Sequence, residues 1–284
     1  MSGILRGRDY PAFMPVHVHL PGPPLDLFVE NFWSVMQHPS PWTKERILPD
    51  GGLEMIFNLG KPQRLHDRDG NGPGTVFRTC WFSGPRTRSI VIGPTPVVNF
   101  FGIRFCAWGA AAILREPVVA VADEVVELEV LLGDFATELQ ERLLEAKTVQ
   151  QQFALTETAL RRRLRDVLQE CRLAAACTRR LLDDGAPAKV AAVAAELGVG
   201  HRRLGRVFER VVGLSPKQIQ RVGRFQRAIH HIGQAADVDW ADVAYGCGYH
   251  DQSHFVHEFV EFTQLTPTEY LSRRGEYLNF VRVD

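Results

Sequence analysis

Sixteen residues that begin at Leu204, LGRVFERVVGLSPKQI, return in outline as FVHEFVEFTQLTPTEY, beginning at Phe255. Leu204 matches Phe255, Phe208 matches Phe259, Leu214 matches Leu265 and Ser215-Pro216 matches Thr266-Pro267, each at 255 − 204 = 51 residues. A chain that repeats a segment in this way builds one supersecondary unit twice. Within each copy the apolar pair four residues apart lies on one helical face, so both segments are expected to be helices packed on a core. The proline that follows suits the first turn of a further helix, where its missing N–H would have had no partner anyway. Ser215-x-x-Gln218 and Thr266-x-x-Glu269 have the form of a capping box.

Each copy is preceded by a shorter helical segment and a glycine turn. KVAAVAAEL leads through Gly198-Val199-Gly200 into HRRLGRVFERV, and WADVAY leads through Gly246-Cys247-Gly248-Tyr249-His250 into DQSHFVHEFVEF. Helix, tight turn with glycine, helix is the helix-turn-helix pattern, whose second helix enters the major groove of DNA. Asp251 is a good N-cap, because its carboxylate accepts from the free N–H groups of the first turn, and Gly200 is a weaker one.

The rest of the chain reads differently. Up to about residue 105 short apolar runs alternate with turn signals such as PDGG, DGNGPG and IGPTP, which is the pattern of strands. LEMIFNL, TVFRTCWFSG, SIVIG and VVNFFGIRF each fit one strand, with Pro49-Asp50-Gly51-Gly52 as a turn. Beyond Phe105, AWGAAAIL and DEVVELEVLLG read as short helices, and residues 134–146 as an amphipathic one with Phe135, Leu139 and Leu143 on one face. Leu160, Leu164, Val167, Leu168 and Cys171 keep a helical period from Leu155 to Leu182, ended by DDGAP. The expected fold class is α+β: a mostly-β, barrel-like domain with short helices over residues 1–146, a helical linker and first helix of the next domain over 147–183, and an all-α domain with two helix-turn-helix units over 184–284.

VAAELGVGHRRLGRVFERVVGLSP and VAYGCGYHDQSHFVHEFVEFTQLTP, with their repeat, turn glycines and closing Thr-Pro, resemble the two-helix-turn-helix DNA-binding domain of AraC/XylS-family transcription regulators. LPDGGLEMIFNLG and FFGIRFCAWGAAAIL are similar to sensor-like domains that precede such units in some members. The resemblance implies a transcription regulator, an activator in many members, with double-stranded DNA as partner. It further implies a small-molecule effector or partner at the first domain, with RNA polymerase and a second copy of the chain as further candidate partners. No cofactor is implied.

By analogy with the family's base-reading positions, Arg202, Gly205 and Arg206 of the first copy approach base edges. In the second copy Gln252, Ser253, Val256 and His257 do so. Arginine suits guanine, glutamine suits adenine and valine suits a thymine methyl. Family members often have arginine where His257 stands and glycine where Gln264 stands. The net charge is zero, so the sum says nothing about nucleic acid, but the distribution does. From His201 to His231 the bases Arg202, Arg203, Arg206, Arg210, Lys217, Arg221, Arg224 and Arg227 face the single acid Glu209, whereas from Asp237 onward acids outnumber bases. The first copy is therefore expected to hold DNA and the second to add selectivity. Glu258 and Glu261 fall off the reading positions.

The rival class is an enzyme, either a barrel-type metal enzyme or a DNA-repair transferase using Cys80 or Cys106. Neither cysteine has a recognisable base beside it. His254 and His257 are one turn apart, and His17 and His19 share a strand face, yet neither pair has a complete ligand set, so no metal site is assigned. Five cysteines without a C-x-x-C pair read as buried or free thiols. Glu54 and Arg104 on otherwise apolar strands, with Trp81 and Trp108, are the candidate ligand contacts of the first domain. No run is long and apolar enough to span a bilayer, and MSGILRGRDYPAF lacks the apolar centre of a signal peptide. A cytoplasmic protein is expected.

Overall fold

The computed structural model describes residues 16–39, 44–66, 69–93, 95, 97–182, 188–234, 238–275 and 277–283. The strands are β1 (Val16–His19), β2 (Val29–Pro39), β3 (Glu45–Ile47), β4 (Leu53–Asn58), β5 (Gln63–His66), β6 (Thr75–Phe77), β7 (Cys80–Ser83), β8 (Ile90–Ile92), β9 (Val97–Phe105) and β10 (Val125–Glu127). The helices are α1 (Leu128–Leu132), α2 (Asp134–Glu145), α3 (Val149–Arg163), α4 (Leu168–Leu181), α5 (Val190–Glu196), α6 (His201–Val211), α7 (Pro216–Gln234), α8 (Trp240–Gly246), α9 (Gln252–Thr263) and α10 (Pro267–Arg273). A last strand, β11 (Phe280–Arg282), follows them.

Alternation sets the faces of the larger sheet. Leu53, Met55 and Phe57 on β4 lie opposite Phe105, Ile103 and Phe101 on β9, and all six are fully buried. That face packs on the helices that follow, with the Phe153 ring of α3 5.9 Å from Phe101 and Gln140 of α2 donating to the Asn58 carbonyl (2.6 Å). The opposite face carries Glu54, Arg104 and the small apolar cluster of Trp33, Val35 and Val98. Gly102 is required there, because the Trp33 indole occupies the space of its missing Cβ.

Among the described residues the sheets are open, ordered β1-β2-β9-β4-β7-β10 and β11-β3-β8-β5-β6, rather than closed into a barrel. TVFRTCWFSG is two strands rather than one, with β6 in the smaller sheet and β7 in the larger. The start of DEVVELEVLLG is strand β10, paired with β7, before helix α1 begins. AWGAAAIL forms only a 3-10 turn, Ala110–Ala112. The long helix expected from Leu155 to Leu182 breaks between α3 and α4, where the Arg165 N–H leaves the helical ladder to donate to the Ala112 carbonyl (2.9 Å). The DDGAP stop lies outside the described residues.

Two cores hold the helical half. Leu204 and Phe208 of α6 belong to the same core as Phe82 and Phe101, so the first repeat is built onto the β-rich half. Phe225, Phe255, Phe259, Phe262 and Tyr270 form a second core that also takes in Leu48 and Val281. Full burial of each such phenylalanine contributes about 1.5–3 kcal/mol. The end of the chain is not helical. Strand β11 pairs antiparallel with β3, returning the C-terminus to the N-terminal sheet.

Candidate nucleic-acid interface

The two repeats fold alike. In the first, the turn after α5 has Gly198 at φ +65 and the Val199 N–H donating to the Ala194 carbonyl (2.9 Å). In the second, the turn after α8 has Gly248 at φ +81 and the Tyr249 N–H donating to the Ala244 carbonyl (2.9 Å). A positive φ is what glycine permits without a Cβ clash. The turns are 249 − 199 = 50 residues apart and the following helices 51, so the second turn is longer by one residue. That residue is His250, whose side chain is 87% exposed. Asp251 then caps α9 by accepting from the His254 N–H (2.7 Å), whereas Gly200 gives α6 no side-chain cap.

The rear faces are buried, with Leu204, Val207, Phe208 and Val211 in α6 and Phe255, Glu258, Phe259 and Phe262 in α9. The front faces meet solvent. Arg202, Arg203, Arg206 and Arg210 are exposed on α6, as is Lys217 in the first turn of α7. Gly205 has open space where a Cβ would stand. On α9, Gln252, Ser253 and His257 are exposed and Val256 is half-buried. Arg210 reaches sideways to Glu170 of α4 (3.4 Å), so one of its donors is engaged within the chain.

The acids of α9 have a different place from the surface position that their charge suggests. Glu258 is 3% exposed and accepts from Arg221 Nε (2.8 Å) and from Arg224 Nε (3.1 Å) and Nη2 (2.9 Å), both on α7. Arg221 Nη2 also donates to Glu261 (2.5 Å). Arg221 and Arg224, which the sequence counts toward a DNA-holding surface, are thus spent on holding α9 to α7. The Arg224 guanidinium lies 4.8 Å from the centre of the Tyr249 ring, and burial pushes that phenol well above its ordinary pKa.

The one departure at the C-terminal end of a reading helix, Gln264, is also explained. Gly213 (φ +80) and Gln264 (φ +59) both close their helix in the left-handed conformation. A Cβ on Gly213 would stand 2.8 Å from Pro85 and Val118. Gln264 instead uses its side chain: Arg46 Nη1 donates to its Oε1 (2.6 Å) and its Nε2 donates to Asp69 (3.2 Å). The Ser89 N–H donates to the Phe262 carbonyl (3.1 Å). Each unit is therefore anchored by its rear end to the β-rich half.

Of the four ligand candidates of that half, Glu54 and Arg104 form an ion pair. Arg104, 3% exposed, meets a carboxylate at each nitrogen: Nε to Glu30 (3.1 Å), Nη2 to Asp50 (3.0 Å) and Nη1 to Glu54 (3.4 Å). Burial first of all, only partly offset by Arg104, holds the Glu30 carboxyl above the usual range. Trp81 packs with Phe77 and Phe100, while Trp108 sits elsewhere, donating to the Leu27 carbonyl beneath Arg179. Sequence reading missed Glu30 and gave Asp50 only a turn role. Asp50 has both, since its Oδ1 accepts from the Gly52 N–H (2.9 Å). Its neighbour Pro49 accepts from Gln226 of α7 (2.8 Å), which also donates to Asn279 (2.8 Å). The buried charge cluster is thereby one residue from the helix that joins the two reading units.

The family model for a helix-turn-helix domain matches residues 193–273. Residues 193–273 therefore carry an AraC-type helix-turn-helix domain. A second model, a domain of unknown function (DUF6597), matches residues 17–127 of the chain. No match was found among curated proteins. Similar solved structures include ToxT from Vibrio cholerae, with 12% identity and a TM-score of 0.47 over 85% of this chain and 98% of that one. A DNA-binding transcriptional dual regulator from Escherichia coli K-12 has 28% identity and a TM-score of 0.30 over 37% of this chain and 89% of that one. An AraC-type regulator from Chromobacterium violaceum has 21% identity and a TM-score of 0.33 over 38% and 94%. Among the described residues no helix is long and apolar enough to cross a membrane.

Proposed function

We propose that the chain is a transcription regulator that binds DNA sequence-specifically, with α6 and α9 entering two neighbouring major-groove segments about one helical turn (~34 Å) apart. The observation that carries this reading is the pairing of two free front faces with two anchored rear ends, at Gly213 and Gln264. Arg202 and Arg206 would read bases, Gly205 would allow close approach, and Arg203, Arg210 and Lys217 would meet phosphates. Gln252, Ser253, Val256 and His257 would supply the second half-site's preference with little phosphate contact.

Control would come from the β-rich half, through a small molecule or partner that moves the loop at Pro49 and Asp50 and, through Gln226, the linker helix α7. We divide the chain for this purpose at residues 146 and 183. A cytoplasmic regulator that acts on RNA polymerase, alone or as a pair of chains, fits this reading. A transferase that uses Cys80 does not, because burial pushes that thiol up to about 12, far from the thiolate such chemistry needs.

The test is selection of duplexes from a random pool, followed by fluorescence anisotropy of the selected and a scrambled duplex across a salt series. Preference for the selected duplex supports the proposal, and equal binding at every salt concentration overturns it.

A further inference from the structure

The position 51 residues before Glu258 is Val207, since 258 − 207 = 51, and both are buried on the rear of their reading helix. Where the first repeat has a core valine, the second has a carboxylate. A buried carboxylate is costly unless it is paired and hydrogen-bonded. Here two arginines of α7 pair with it, and Glu261 completes a set of two acids and two bases.

The set lies directly behind the turn that would face DNA. Arg224 stands over Tyr249, the Tyr249 ring lies edge-on to His254 in the first turn of α9 (5.4 Å), and His254 Nε2 is 4.0 Å from Glu258. Arg221 is 26% exposed and Glu261 44%, so the arginine would reach solvent once its acids were gone.

We infer that Glu258 and Glu261 act as specificity-determining residues by keeping Arg221 and Arg224 away from DNA phosphates while Glu258 positions α9 on α7. This inference rests on the DNA-binding reading above. Phosphate contacts strengthen binding to any sequence, whereas base contacts discriminate. Two arginines beside the acid-rich second unit would raise its hold on random DNA and dilute the preference supplied by Gln252, Ser253, Val256 and His257. The carboxylates prevent that and use the same arginines to fix the angle of the helix.

Salt dependence separates this from a purely structural role, because each phosphate-bound arginine adds about 0.9 to the slope of log affinity against log salt. Wild type, Arg203→Gln, Arg221→Gln, Glu258→Gln, Glu261→Gln and the double variant Glu261→Gln/Arg221→Gln would be titrated with selected and random duplexes. Arg203→Gln should flatten the slope by about 0.9, and Arg221→Gln should leave it unchanged. Glu261→Gln, at a position 44% exposed, should steepen the slope and raise random-duplex affinity, giving a lower selected-to-random ratio. The double variant should return to the wild-type slope. Glu258→Gln should act as Glu261→Gln does but more strongly, and should also lower affinity for the selected duplex.

If Arg221→Gln flattens the slope as Arg203→Gln does, or if Glu261→Gln leaves slope and ratio unchanged, this inference is wrong while the DNA reading stands. A wild-type protein that binds neither duplex overturns both.

Discussion

Gly213 and Gln264 occupy one place in two repeats, 264 − 213 = 51 residues apart, and both fasten a reading helix to the β-rich half from the left-handed conformation. The first does it by having no side chain and the second by having one. Gly213 lets Pro85 and Val118 close on the backbone, while Gln264 bridges Arg46 and Asp69. A substitution at either site tests the anchoring separately from DNA contact.

Gly213→Ala should destabilise by about 1–3 kcal/mol, because alanine is strained at this φ and its Cβ has no room. Urea unfolding with an unchanged m-value would register it. Gln264→Gly should change global stability little, since glycine relieves the backbone as the side-chain bridges are lost. Amide exchange at the C-terminal turn of α9 should nonetheless accelerate. Equal protection in the two proteins would mean that the bridges to Arg46 and Asp69 do not anchor the unit.

Arg104→Met should cost about 3–5 kcal/mol, because three buried carboxylates lose their common cation. Glu30→Gln should be far milder at neutral pH. Its folded pKa is raised above the ordinary 4.5, so the folded state favours the protonated acid. Stability from this group is fully present below 4.5 and is lost as pH rises through the raised folded value. The advantage of Glu30→Gln over wild type should therefore grow as pH rises through that window and then level off. Urea melts at several pH values would check it, and an advantage that shrinks with rising pH would contradict it.

Much of the helical half was legible in the sequence because its signals are local: glycine turns, Thr-Pro caps and apolar residues four apart repeat within a few turns of helix. What was illegible depends on partners far along the chain. Glu258 read as a surface acid because Arg221 and Arg224 lie on another helix. Gln264 read as a departure from glycine because Arg46 comes from the other end of the chain. The break after α3 follows from a carbonyl at Ala112. In the β-rich half, β4 and β9 were read as strands, but the assembly of Glu30, Asp50 and Glu54 around Arg104 is a product of strand register. No short window of sequence contains it.

Asp251→Ala should loosen the start of α9 without disturbing α6, seen as faster exchange of the His254 amide. The backbone bond from His254, and then His250, holds the Asp251 carboxyl below its ordinary range. Its contribution is present above the unfolded value and is lost as pH falls through the lower folded value. Asp251→Asn, which keeps a capping oxygen, should retain protection and remove that acid dependence. Loss of protection in Asp251→Asn equal to that in Asp251→Ala would contradict a capping role.

Arg206→Ala should weaken binding to a selected duplex more than to a random one, by about 1–3 kcal/mol of discrimination if it meets guanine. Lys217→Ala should weaken both alike if it meets phosphate. Equal losses for the two variants on both duplexes would remove Arg206 from the reading surface.

The central claim, two anchored helices reading one face of DNA, is tested most directly by spacing. In a selected duplex, inserting about 5 base pairs between the two half-sites turns one of them to the opposite face of the helix, because a full turn takes 10–10.5. Affinity for that duplex, measured by anisotropy at fixed salt, should fall to the level of a duplex in which the second half-site is scrambled. Undiminished affinity after the insertion would contradict the account.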